Sequence, residues 1–118
     1  MATIQAEAKQ LPEPGNAQCI VYVWHGMKAN DEGAAVENYG ERSVQVEGEF
    51  FQVLIEGSND GANFHTLHNL RGDELAVSQP GLHGIQETCR FVRPFADQAD
   101  DDGVTVTMMV RPPVAKAV

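Results

Sequence analysis

Residues 43–67 read SVQVEGEFFQVLIEGSNDGANFHTL, and the alternation in that stretch decides the fold class. Val44 and Val46 alternate with Gln45 and Glu47, which gives one apolar and one wet face at the two-residue period of a strand. After Gly48-Glu49, Phe51, Val53 and Ile55 share one face, and Phe50, Gln52, Leu54 and Glu56 the other. The pattern predicts two strands meeting across a glycine-containing turn at 48–49. The second runs into Gly57-Ser58-Asn59-Asp60-Gly61, where Asn and Asp bond their own backbone and Gly supplies positive φ. Residues 63–67 form a short third strand carrying Phe64.

Upstream, residues 1–18 read as an extended arm, because Pro12 and Pro14 interrupt any helix and Gly15-Asn16 marks a turn. Residues 19–24, Cys-Ile-Val-Tyr-Val-Trp, are apolar on both faces and predict a central strand covered on both sides. A polar loop follows over 28–42. Its length makes it a natural place for partner contacts. Downstream, 74–77, 82–87 and 88–94 read as short strands, 97–102 as an acidic loop, and 104–110 as a strand with Val104, Val106, Met108 and Val110 on one face. Arg111-Pro112-Pro113 ends the ladder, since proline donates no hydrogen bond.

These seven or eight short strands, with turn signals between them and no helical period, predict an all-β, antiparallel β-sandwich or jelly-roll-like barrel. The expected organisation is an arm over 1–18, one domain over 19–111 and a tail over 112–118. A chain of 118 residues supports one modest core.

Charge narrows the functions. Seventeen acidic residues against eight basic ones leave a net charge of −9, with no Lys/Arg cluster, so direct nucleic-acid binding is disfavoured. No apolar run approaches the roughly 20 residues of a membrane helix. The first 18 residues lack the cationic start and apolar segment of a signal peptide, so Cys19 and Cys89 are expected as reduced, small, buried side chains in a protein made in a cytosol.

Candidate chemistry is sparse. His65 and His68, three apart, point to opposite faces of a strand, and no Cys or carboxylate stands at a zinc spacing. His25 and His83 are single residues beside turns. The aspartates of 97–102 lack the alternating ligand pattern of a calcium loop. Ser58 lacks the strand-to-helix elbow of a hydrolase nucleophile. Arg71-Gly72-Asp73 reads as a plain turn. No catalytic residue, metal ligand or cofactor is expected.

The order of several short motifs carries a resemblance. Trp24-His25-Gly26-Met27 is followed by Ser43-Val44-Gln45-Val46, Ile55-Glu56-Gly57-Ser58-Asn59-Asp60-Gly61 and Phe64-His65-Thr66-Leu67. Glu87-Thr88-Cys89-Arg90-Phe91-Val92-Arg93-Pro94 and the strand through Thr105 continue it. This order resembles small virion proteins of tailed bacteriophages, of the capsid decoration (cement) type. The resemblance implies a non-enzymatic protein on the capsid surface, made in the host bacterial cytoplasm. It would bridge subunits of the major capsid protein and act as a homo-oligomer, a dimer or trimer. Contacts are then expected from the arm, through Ile4, Leu11, Pro12 and Pro14, and from the loop, through Lys28, Asn30 and Tyr39. The rival reading is a tail or baseplate host-attachment or carbohydrate-binding module on the same sandwich, which needs exposed aromatics.

Overall fold

A computed structural model of the chain describes residues 2–10, 19–37 and 40–111, and for 98–102 the backbone alone. Ten strands and no helix occur among them: β1 (Thr3–Ile4), β2 (Ala6–Gln10), β3 (Ile20–Met27), β4 (Glu32–Gly33), β5 (Val36–Glu37), β6 (Glu41–Ser58), β7 (His65–Thr66), β8 (Ala76–Val77), β9 (Gly81–Ile85) and β10 (Phe91–Arg111). All ten belong to one sheet that folds over on itself into a barrel-like shape. The all-β expectation holds. Eight strands are short and two very long. β6 joins the two strands expected over 43–56, and β10 joins those expected over 88–94 and 104–110. β1, β2, β4 and β5 lie in segments expected as arm and loop.

The spine is the antiparallel ladder of β6 on β10, from Phe91↔Ser58 at one end to Arg111↔Glu41 at the other. It corrects two local expectations. Residues 43–56 are not a hairpin: β6 runs straight through Gly48, whose φ of +120° bends the strand without reversing it. Residues 97–102 are not a loop between strands, because β10 continues through them as the register shifts. Ala99 stands opposite Phe50 and Val104 opposite Gly48, so three extra residues of β10 are taken up at the bend.

Register also explains a reversal of faces. Between Gln98↔Gln52 and Ala99↔Phe50, β6 carries one extra residue, Phe51. A one-residue bulge flips the alternation. Arg42, Val44 and Val46 therefore point inward before it, and Val53, Ile55 and Gly57 after it. Phe51, expected beside Val53 and Ile55, is 68% exposed, whereas Phe50 packs against the core.

The core lies between the two halves of the folded sheet. Trp24, Met27, Val44, Val46, Val106, Met108 and Val110 come from one half, and Val53, Ile55, Leu75, Val92 and Ala96 from the other. Trp24 joins them: its Nε1 donates to the Ala34 carbonyl at 3.0 Å, so the buried indole keeps a polar partner. β3 lies between β10 and β2, the interior position expected for it, yet Ile20 to Val23 are only half-buried. One of its faces is open.

Residues 2–10, expected as part of an arm outside the domain, are laid onto its sheet. β1 pairs in parallel with β4, and β2 pairs antiparallel with β3. The expected loop over 28–42 likewise carries β4 and β5, both paired with β10.

Candidate binding surface

The open face is built by the half-sheet β9-β6-β10-β3-β2. Its register sets Gly84, Ser43, Met109 and Val21 in one transverse row. The adjacent row is Leu82, Gln45, Thr107 and Val23. Met109 is out of phase with the buried Val106, Met108 and Val110, so alternation puts it outside, where it is 40% exposed. Leu82 is 69% exposed and Leu70 74%. Leu70 reaches this face from the turn after β7 and lies over Gly84: a Cβ at Gly84 would stand 2.8 Å from Leu70 Cδ1. A groove of about 570 Å³ runs between Leu70, Gly84, Ser43 and Met109, closed at one end by the exposed ion pair of Glu41 with Arg111.

The wall of the groove is held from beneath by a buried cation. Arg42 points into the protein from β6. Its Nη2 donates to the Cys89 carbonyl, and its Nη1 to the Glu87 carbonyl at 3.4 Å. Glu87 in turn binds His68. The His68 backbone N–H donates to Oε1 at 2.8 Å, and Nδ1 lies 2.5 Å from Oε2. The Glu87 carboxylate beside it raises the His68 imidazole above its ordinary value. Partial burial pushes Glu87 up, but the hydrogen bonds from the His68 ring and backbone prevail, and its carboxyl sits below the usual range. A carboxylate-oriented imidazole can accept a proton. Here the pair ties the 67–70 segment to the irregular stretch between β9 and β10, which fixes where Leu70 sits.

A second polar cluster braces the opposite half. Arg93 Nε donates to Glu56 Oε1 at 3.0 Å, its Nη1 pairs with Glu32, and its guanidinium lies 3.8 Å above the Phe64 ring. The Ser58-Asn59-Asp60-Gly61 stretch is the turn its composition predicts. Asp60 Oδ1 accepts the N–H groups of Ala62 and Asn63, both at 2.8 Å, and Ser58 Oγ accepts the N–H of Gly61 at 3.0 Å. The amides of Asn63 and Ala62 hold the Asp60 carboxyl far below the usual carboxylate range. Arg71-Gly72-Asp73 is an exposed turn closed by Asn69, whose Oδ1 accepts the N–H of Arg71 at 2.9 Å and of Asp73 at 3.1 Å. Cys19 and Cys89 are free and buried. Among the described residues no three His, Cys, Asp or Glu side chains gather as metal ligands.

The expected contact residues fall differently. Lys28 and Asn30 are exposed on the turn after β3, where Asn30 takes a left-handed φ of 66°. Ile4 is half-buried against the core, and its carbonyl accepts the Ala34 N–H at 2.8 Å. One buried carboxylate brings these segments together: Asp31 accepts the Ala2 N–H at 3.0 Å and the Lys28 N–H at 2.8 Å. Leu11, Pro12, Pro14 and Tyr39 lie outside the described residues. Leu70, Leu82 and Met109 escaped the reading of the sequence. The alternation of 104–110 already signals Met109; Leu70 and Leu82 need the long-range pairing of β9 with β6.

Neither a family model nor a curated protein matches the chain. Among solved structures, a cupin domain from Bordetella pertussis Tohama I is 11% identical with a TM-score of 0.47, over 97% of this chain and 99% of that one. Drosophila melanogaster CENP-C, solved bound to CAL1, is 12% identical with a TM-score of 0.37, over 90% of this chain and 76% of that one. The capsular polysaccharide assembling protein CapF from Staphylococcus aureus is 13% identical with a TM-score of 0.36, over 90% of this chain and 27% of that one.

Proposed function

We propose that this chain is a non-enzymatic binding protein of a tailed-bacteriophage virion, which docks on the outer capsid lattice and braces neighbouring major capsid protein subunits. The observation behind a binding role is the open face. Leu82 and Met109 stand exposed on the half-sheet, with Ser43, Gln45 and Thr107 between them, and exposed Leu70 lies over it from the turn after β7. An apolar patch on a stiff platform suits contact with another protein. The order of the Trp24, Ser43, Ile55 and Glu87 motifs supports the capsid as that protein. Binding the assembled lattice and not its free subunits would stabilise the shell by mass action, and several copies would add avidity.

The test uses capsids of the phage that encodes the chain. Electron microscopy of particles carrying the protein should show regular density on the outer lattice, and a Leu70→Ser/Met109→Ser variant should fold normally but fail to co-sediment with capsids. Equal survival of capsids with and without the protein on heating would overturn the bracing role. Phe51 favours one second reading: an exposed aromatic at a bulge fits a host-attachment or carbohydrate-binding module. Density confined to the tail would select it.

A further inference from the structure

β2 is the last strand of its edge of the sheet, paired on one side with β3 and, among the described residues, with no strand on the other. Alternate N–H and C=O groups along it therefore point away from the sheet. Such an edge is a template for another strand. Natural edges are commonly blunted by proline, a bulge or charges that repel a second strand. Ala6–Gln10 has no proline or bulge, pairs with β3 in unbroken register from Ala6↔Trp24 to Gln10↔Ile20, and carries two charges of opposite sign.

The charges of this edge complement themselves. Glu7 and Lys9 are both exposed, and lie two apart on the same face with Ala8 between them. We infer that β2 is a self-association edge, which pairs antiparallel with β2 of a second copy about a two-fold axis at Ala8. In that register residue i stands opposite residue 16 − i. Glu7 then faces Lys9 of the partner copy, and its own Lys9 faces the partner's Glu7. Both ion pairs lie on one side of the joined sheet. No other centre does this: a shift of the axis to Glu7 or to Lys9 sets like charges directly opposite.

Two other features agree. The net charge of −9 opposes close approach of two copies, so an approach is favoured where charge is locally balanced, as it is over Ala6–Lys9. Glu7 is also weakly committed within its own chain. Its neighbour is His25 at 3.3 Å, and with both side chains largely exposed that contact is weak. Joining the edges would also set the open faces of the two copies side by side, with Val21 and Val23 of each next to the junction. A five-residue edge is a small interface, so the dimer belongs to the weak, concentration-dependent class.

The inference does not depend on which partner the protein serves, and charge reversal tests it. Sedimentation velocity should show the wild-type protein as a dimer at about 0.1 mM, dissociating on dilution. Glu7→Lys sets lysine against lysine, and Lys9→Glu sets glutamate against glutamate. Each should weaken the dimer by about tenfold or more, while circular dichroism stays that of the wild type. The double variant Glu7→Lys/Lys9→Glu should recover the dimer. A mixture of the two single variants should form a heterodimer, because one copy then carries only positive and the other only negative charge on the edge. A wild-type protein monomeric at that concentration would overturn the inference. So would a dimer indifferent to both single reversals, since its interface would then lie elsewhere.

Discussion

Gly48 of β6 and Gly103 of β10 meet where the spine of the protein bends, and neither position has room for a side chain. A Cβ on Gly48 would lie 2.8 Å from the Gly103 carbonyl oxygen, and one on Gly103 would lie 2.9 Å from the carbonyl carbon of Gly26. Both residues have positive φ, +120° and +82°. Gly48→Ala or Gly103→Ala thus adds a backbone clash to a left-handed strain of about 1–2 kcal/mol. Each variant is expected to lose about 2 kcal/mol or more, read as a lower urea midpoint with an unchanged slope. A midpoint equal to the wild type would show that the bend can relax.

This bend also marks where the sequence stops being readable. Alternation over 43–47 and 104–110 identified strands and their buried faces, because a two-residue period is a local property. The Ser58–Gly61 turn was legible for the same reason, since the hydrogen bonds of Ser58 and Asp60 fall within a few residues; the bond that Asn59 Oδ1 accepts from the Arg90 N–H was not. Gly48 was not, since positive φ serves a hairpin and a continuous bent strand equally well. What distinguishes them is the partner of 50–58, which is 91–99, some forty residues away. The misplaced Phe51 follows from the same long-range register, through the bulge. The exposed face shares this limit: Met109 is readable from its phase, while Leu70 acquires meaning only when Gly84 is beneath it.

Arg42 is a buried cation that donates to two main-chain carbonyls, those of Glu87 and Cys89. Arg42→Leu fills similar volume but leaves both carbonyls without this donor inside the protein. Orphaned acceptors of this kind cost about 1–3 kcal/mol each, so a loss of about 2–6 kcal/mol is expected in urea unfolding. The segment it anchors should also exchange its amide protons faster than β6 or β10. Uniform exchange across the sheet would show that Arg42 does not hold that segment.

Arg93 joins three elements at once, through Glu56, Glu32 and the face of Phe64. Lysine keeps the charge but loses the planar fork and the stacking. Arg93→Lys is therefore expected to cost about 1 kcal/mol, a moderate figure because the side chain is partly solvent-exposed. A double-mutant cycle with Glu56→Gln separates the ion pair from the stack. Full additivity would assign the cost to Glu32 and Phe64 and none of it to Glu56.

The His68–Glu87 pair should give stability a pH dependence of definite shape. His68 is raised from 6.5 by its hydrogen bond to Glu87, so its contribution is complete below about 6.5 and is lost as pH rises through the folded value. Glu87 is lowered from 4.5: burial opposes the shift, and the ring and backbone bonds from His68 outweigh it. Its contribution is complete above about 4.5 and is lost as pH falls through the folded value. The ionic part of the interaction is thus fully present only between about pH 4.5 and 6.5. Above that window the neutral imidazole can still donate from Nδ1 to Glu87, so a smaller benefit remains. The wild-type protein should exceed His68→Gln in stability most within the window and less on either side. Urea midpoints of both proteins measured across that range give the difference directly, and an NMR titration should place His68 above the ordinary histidine value. A stability difference that stays flat from acid to neutral pH would mean that the short contact carries no charge, and that Glu87 is held by the His68 backbone amide alone.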